Sequence, residues 1–373
     1  MFPLRTLGKK HEGGLSSRRN SHREIHTSVH DVGSEVSIAS VDQPPPSRQS
    51  SHHDHELHRT RTYHPFAPHV LILLMPASIF GVLARLGLVA LTTYNGQSIF
   101  PLAYVQGLGC FVMGFGLELK EPMGNFYPPL YTAITTGFCG SLTTFSSWQL
   151  DVFNSWLNSE DAEHAGLRNF LDGLGKTVFT LTISLSSVLF GSYMARVIYP
   201  FLPTLQPPSR TVRYIISILS VLMYAATLPA YFLLPTSHRH QATAALLFAF
   251  PGTLIRYILS TLLNPLLTTF PLGTFAANST GSGLLAAFHV IQSIASKPIS
   301  PNGCSLLQGL DDGFCGCLTT ISTFAVEIRG LKGWERPRYV LMSWGAGQLL
   351  FLIIMGPSLL SGSVRKQLMC SFT

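Results

Sequence analysis

Beyond residue 66 the chain alternates long apolar runs with short polar connections. The runs lie near residues 70–92, 100–119, 127–152, 172–196, 212–234, 242–263, 271–294, 308–329 and 338–361. Each is close to the ~20 residues an α-helix needs to cross the hydrocarbon core of a bilayer. Residues 214–234 carry no charged side chain, and 70–92 carry only Arg85. The pattern predicts an all-α polytopic membrane protein with nine spans. Residues 1–66 read differently, because Ser, His, Arg and Pro dominate them. So little apolar surface cannot offset the entropy of ordering a chain, which predicts a disordered basic tail. Met1–Lys10 also lacks the apolar core of a secretory leader.

The runs contain a repeat. GFCGSLTTFSSW at Gly137–Trp148 returns as GFCGCLTTISTF at Gly313–Phe324. A Gly- and Thr-rich break in an apolar helix survives in a membrane only where protein or a polar cavity satisfies the freed backbone. The match extends outward: Gly81–Leu86 parallels Gly252–Tyr257, and Phe100–Gly109 parallels Phe270–Gly281 in an alignment that pairs Gln106 with Asn278. The chain thus divides into a tail (1–66), a first four-helix domain (67–200), a linker with a connecting helix (201–237), a second four-helix domain (238–363) and a short C-terminal tail (364–373). A single connecting helix forces the second half to insert upside-down relative to the first. The expected fold is two inverted four-helix repeats with the third helix of each broken, a design that places transport sites near the midplane. A cytoplasmic N-terminus puts Arg196, Arg210, Arg213, Arg329, Lys332, Arg336 and Arg338 inside and Glu160, Asp161 and Glu163 outside. That is the positive-inside bias, and the plasma membrane is the expected location.

Composition narrows the chemistry. Of 373 residues, 12% are charged and 46% apolar, against about 25% charged in soluble domains. The net charge is +7, of which residues 1–66 supply only +2 (nine Lys and Arg against seven Asp and Glu); the expected partner of that tail is anionic lipid and not nucleic acid. Cys110, Cys139, Cys315 and Cys317 fall in apolar runs, with Cys304 in a loop and Cys370 in the tail; that scatter argues against a disulfide framework. Cys315-Gly-Cys317 is a weak metal motif, since Ser141 replaces the second cysteine in the first copy. His52-His53-Asp54-His55 reads as solvated tail. Asn278-Ser-Thr fits the glycosylation pattern but lies at membrane depth, so no glycan is expected. No phosphate-binding GxxxxGK[ST] is present, and no HExxH or GxSxG accompanies His289.

The two GFCG-containing segments, the Gly-x-x-x-Arg elements ending at Arg85 and Arg256, and Asn278-x-x-Gly281 together resemble the Fluc fluoride channels. The resemblance covers nearly everything after residue 70, and the fused halves are similar to the two-domain branch of fungi and plants. It implies a passive, selective fluoride channel and not an enzyme. The unit implied is a monomer equivalent to a fused antiparallel dimer in the bilayer. Physics agrees on the donors. Fluoride is small and tightly hydrated, so a pore must replace its water with amide N–H groups, hydroxyls or the positive edges of aromatic rings. A fixed midplane Lys or Arg would be costly to bury.

By motif position the resemblance assigns the pore to Asn278, Phe145, Phe324, Thr144, Ser146, Thr320, Ser322 and Thr323. It adds Thr180, Ser184 and Ser187, whose i, i+4, i+7 spacing puts them on one helix face. Packing of the rings against lipid and bonding of the hydroxyls to their own backbone are the plain alternatives. Crossing the motif's two aromatic positions gives Phe145 with Phe324, a complete pair, and Ile321 with Trp148, an incomplete one. With Gln106 in place of Asn278, the second set is expected to be a degraded pore. Asp151 and Glu327 resemble a vestibule acid, and Arg85 and Arg256 read as structural anchors at helix ends. A central structural Na⁺ is implied on the backbone carbonyls of Gly140, Thr143, Gly316 and Thr319; close helix packing is the other reading of those glycines. A proton-coupled small-anion antiporter is the competing function, which calls for a titrating intramembrane carboxylate.

Overall fold

The computed structural model describes residues 63–93, 100, 102–158, 166–203, 206–234, 242–294, 299–362 and 369–370. These all belong to one unit, Glu35–Thr373. The basic tail through residue 62, with its His52–His55 cluster, and the acidic Glu160, Asp161 and Glu163 lie outside the described residues.

All regular structure among the described residues is helical. The first half comprises α1 (Pro68–Thr92), α2 (Ala103–Glu118), α3 (Lys120–Phe126) and α4 (Pro128–Thr132). A π-helical turn, π1 (Ala133–Cys139), the short α5 (Gly140–Leu142), α6 (Phe145–Leu157) and α7 (Gly166–Ile198) follow. The connector is α8 (Arg210–Ala225) and α9 (Thr227–Leu233). The second half opens with α10 (Ala244–Leu263) and α11 (Leu272–Gln292). It closes with α12 (Pro301–Gly309), π2 (Leu310–Cys315), α13 (Gly316–Leu318), α14 (Ser322–Gly330) and α15 (Glu335–Leu360). Pro68, Pro128 and Pro301 stand in the first helical turns, where a missing N–H costs nothing. Ser209 and Ser300 cap α8 and α12 by accepting from Val212 N and Gly303 N.

Five helices among the described residues are long and apolar enough to cross a membrane: Pro68–Thr92, Gly166–Phe201, Arg210–Leu233, Ala244–Leu266 and Glu335–Leu360. They coincide with five of the nine expected spans. The other four runs fold differently: α2 has only 16 residues, α11 is rich in Gly, Ser and Thr, and the two GFCG segments are interrupted. Large side chains such as Ile215, Ile218, Leu222 and Phe232 are exposed along the connector, which suits a helix facing acyl chains.

Close backbone approach fixes how each half packs. A Cβ on Gly81 would strike Phe138 O and Ser141, and one on Gly252 would strike Phe314 O. In both halves the first helix therefore lies directly on the interrupted segment. The two first helices also pack against each other.

The cysteine reading needs correction. Cys304 and Cys370 form a disulfide with Cα atoms 5.7 Å apart, and Cys304 sits in α12 and not in a loop. Residues 66 apart in sequence converge because Met369 N donates to Gln292 O (3.0 Å), laying the C-terminal tail across the end of α11. The other four cysteines are buried free thiols.

Candidate functional site

Both GFCG segments build the same local structure. A π-helical turn runs into one helical turn at Gly140 or Gly316, after which the helix stops. Thr143 (ψ 147°) and Thr319 (ψ 154°) are extended, which swings their carbonyls out of the helical direction. Helix resumes at Phe145 in the first copy and Ser322 in the second. Each new helix start has orphan N–H groups that require acceptors.

Those acceptors come from the opposite half. Thr319 Oγ1 accepts from Phe145 N and Ser146 N, both at 3.1 Å. Thr143 Oγ1 accepts from Ile321 N (3.3 Å) and Ser322 N (3.0 Å). Each hydroxyl also donates to its own upstream carbonyl, Cys315 O or Cys139 O, at 3.0 Å. Hydroxyl contacts complete the knot: Thr144 and Ser146 lie 3.2 and 3.0 Å from Thr319, and Thr320 and Ser322 lie 3.2 and 3.1 Å from Thr143. Thr323 N adds a bond to Thr320 Oγ1 (3.4 Å). All seven of these Ser and Thr residues are buried. Burial without partners would cost several kcal/mol per group, on the order of 2–7 kcal/mol, so each half needs the other.

The paired amides hold the segments from behind. Asn278 takes Thr320 in both directions, donating to Thr320 O (3.2 Å) and accepting from Thr320 N (2.9 Å). Gln106 donates to Thr144 O (2.7 Å), and its Oε1 has no partner. Asn278 is 1% exposed, which suits its membrane depth.

Arg85 and Arg256 lie two turns inside α1 and α10 and not at their ends, 3% and 1% exposed. Each crosses to the other half because main-chain acceptors freed by the π turns await there. Arg256 donates to Cys317 O (2.7 Å) and to Thr136 O of the first half (2.9 Å). Arg85 donates to Asp312 O of the second half. The guanidinium groups cover Gly140 and Gly316, where any Cβ would collide with them.

Four aromatic rings form a line. Phe145 and Phe324 meet edge to face at 5.5 Å between centroids; Phe145 meets Trp148 at 5.4 Å, and Phe324 meets Tyr339 at 5.0 Å. Trp148 also donates to Lys176 O (3.3 Å), and Ile321 is buried in the same cluster. Tyr339 escaped the sequence reading. It donates to Glu327 (2.7 Å), which also accepts from Thr274 (2.6 Å) and Asn264 (3.0 Å). Glu327 is therefore buried in a closed network, whereas Asp151 is half-buried on α6.

The hydroxyl ladder lies on α7, which packs against α2. Ser184 donates to Thr180 O (2.7 Å), and Ser187 Oγ faces Gly107 on α2. Ser187 thus faces the helix that carries Gln106, on which α7 packs along its length. Two carboxylates also escaped. Asp311 and Asp312 stand where the first copy has Thr135 and Thr136; Asp311 is buried and Asp312 accepts from Gln308 (2.8 Å). Aligning the two copies two residues further upstream exposes this exchange. Among the described residues, no group of three or more His, Cys, Asp or Glu side chains could hold a metal.

The family model described as CrcB-like protein, Camphor Resistance (CrcB), matches residues 72–192 and again 243–356. Fluoride export protein 1 of Candida albicans is 33% identical over 77% of this chain and 78% of its own length. Fluoride export protein 1 of Schizosaccharomyces pombe is 34% identical over 75% of this chain and 93% of its own. The fluoride-specific ion channel FluC of Dehalococcoides mccartyi is 26% identical, covering 33% of this chain but 90% of its own length. No solved structure matches the chain. A relative aligned over nearly its whole length to a third of the chain, and a family model matched twice, repeat the doubling seen in the two interrupted segments: this chain belongs to the CrcB-like family.

Proposed function

We propose that the protein is a passive, fluoride-selective channel that exports cytoplasmic F⁻. The threonine knot is the observation that carries this reading: two interrupted segments from opposite halves meet as a buried cluster of hydroxyls and backbone N–H groups, with aromatic edges beside it. Such donors can replace the water of a small anion while leaving it free to move on. The relatives named as fluoride exporters and channels support the same substrate. An inside-negative potential drives F⁻ outward with about 2.3 kcal/mol per 100 mV, so no enzymatic step is required.

The architecture behind this reading is two inverted four-helix repeats joined by α8–α9, with the third helix of each broken at Thr143–Thr144 and Thr319–Thr320. The chain acts as one fused antiparallel pair in the plasma membrane. One route is retained, through Asn278 and the Phe145–Phe324 pair with Tyr339 and Glu327 at its mouth. Gln106, Ile321 and Trp148 mark the degraded route, and the hydroxyls of Thr180, Ser184 and Ser187 line the retained one. The carbonyls of Gly140, Thr143, Gly316 and Thr319 would hold a structural Na⁺. Hard oxygen donors suit that ion, the extended threonines turn two carbonyls free of the helix, and the adjacent guanidinium groups disfavour a divalent ion. Bound there, a cation would neutralise converging carbonyl dipoles.

Ion efflux from liposomes containing the purified chain tests the proposal. The expected result is fast, electrogenic F⁻ release with little Cl⁻ release, and a higher unfolding temperature in Na⁺ than in N-methylglucamine. Flux that requires a proton gradient and carries no F⁻ current would replace the channel with the antiporter.

A further inference from the structure

The disulfide and the arginines occupy opposite ends of the molecule, and α11 measures the distance between them. In its first turn, Thr274 bonds Glu327 (2.6 Å), two residues before Arg329 near the close of α14. Arg329 donates to Ser192 near the end of α7 (2.9 Å), and Arg196 of α7 pairs with Glu118 at the end of α2 (2.8 Å). A short connection from α7 leads to Arg210 and Arg213, and Arg213 donates to Tyr63 ahead of α1 (2.8 Å). These helix ends form one basic rim, to which Lys332, Arg336 and Arg338 also belong.

At the other end of α11, Gln292 O accepts from Met369 N (3.0 Å). The next residue, Cys370, is bonded to Cys304 in the first turns of α12. The 21 residues of α11 rise about 30 Å at 1.5 Å per residue, the thickness of one hydrocarbon core. Basic rims are retained on the cytoplasmic face. Structural disulfides form in oxidising compartments and are rare in the cytosol. The two chemistries are independent and assign the same orientation.

We infer that Cys304 and Cys370 form a constitutive disulfide on the extracytoplasmic face, tethering the C-terminal end of the chain to the helix that leads into the second interrupted segment. This rests on the membrane reading above and not on which ion passes. The Sγ–Sγ bond forms as the two thiols give up two protons and two electrons to a disulfide-class oxidant of the secretory lumen, which leaves as a dithiol. The tether holds α12 against the end of α11, next to the site where Asp311 and Asp312 replace the threonines of the first half.

Full-length protein from a eukaryotic host, alkylated before extraction and digested without reductant, should give a Cys304–Cys370 cross-linked peptide that disappears on reduction. Recovery of both cysteines in alkylated form would overturn the inference. Cys304→Ser frees the half-buried Cys370, which a membrane-impermeant maleimide should label in intact cells as fully as after permeabilisation. Labelling only after permeabilisation would overturn the orientation. If that variant fails to fold, antibody access to a C-terminal epitope on the otherwise native chain gives the same readout. Normal F⁻ efflux combined with a cytoplasmic C-terminus would sink this inference and leave the channel standing.

Discussion

The two interrupted segments share a backbone design and differ in what is attached to it. In each, an extended threonine caps the helix start of the opposite half with two hydrogen bonds. Around that common frame the second segment is held more completely. Asn278 satisfies both main-chain groups of Thr320, whereas Gln106 reaches only Thr144 O and leaves its own Oε1 unpaired. Arg85 bonds the main chain of an aspartate, Asp312, whereas Arg256 bonds the main chain of Thr136 at the equivalent position. The difference teaches that the cross-capping geometry serves the union of the halves, which both copies need. The amide and aromatic positions are where the copies have diverged.

The largest expected effect tests the charged asymmetry. Arg85→Ala leaves the Asp312 carbonyl without its donor and the half-buried Asp312 carboxylate without a nearby cation, and should cost about 3 kcal/mol, read as a lowered denaturation midpoint in detergent. Asp312→Asn should restore part of that loss in the double variant. No side-chain change at Thr136 should rescue Arg256→Ala, because Thr136 carries no charge for the arginine to offset. Absence of coupling between Arg85 and Asp312 would mean that the carboxylate is incidental.

Next come the amides. Asn278→Ala leaves a buried N–H and a buried carbonyl of Thr320 unpaired and should cost about 2–3 kcal/mol, against about 1 kcal/mol for Gln106→Ala. Fluoride efflux should fall to background in the first and persist in the second; equal loss of flux in both would end the single-route reading. The shared frame predicts symmetry instead. Thr143→Val and Thr319→Val should each cost about 1–2 kcal/mol through the lost caps, with a difference between them too small to resolve. The smallest effects fall on the other two motif positions, where Ile321→Val and Trp148→Phe should each cost below about 1.5 kcal/mol. Those variants should conduct, whereas Phe324→Ile should not.

Much of this was legible because membranes restrict what a sequence can do. A broken, polar stretch in an apolar run must have its backbone satisfied, so the repeat located the site before any coordinates. The Phe145–Phe324 encounter followed from crossing the two motifs. Periodicity placed Thr180, Ser184 and Ser187 on one face, but that Ser187 meets Gly107 is visible only in the fold. Arg85 and Arg256 read as helix-end anchors because pattern alone does not show that a π turn of the opposite half has freed a carbonyl for them. Cys304 and Cys370 looked unrelated since the fold of the tail back onto Gln292 leaves no local signal.

The sequence by itself determined the membrane class, the doubling, the position of the two breaks and the mismatches between them. Each of these is written in composition or in the comparison of the chain with itself. Tertiary structure alone decided who satisfies whom. Thr143 and Thr319 exchange caps across the halves, Arg85 and Arg256 cross to carbonyls of the opposite half, and the C-terminal tail is bonded to α12. The reason is physical: hydrophobicity is non-directional and sums along a chain. A buried hydrogen bond instead depends on two atoms meeting within about 3 Å, a condition that only the folded molecule fulfils.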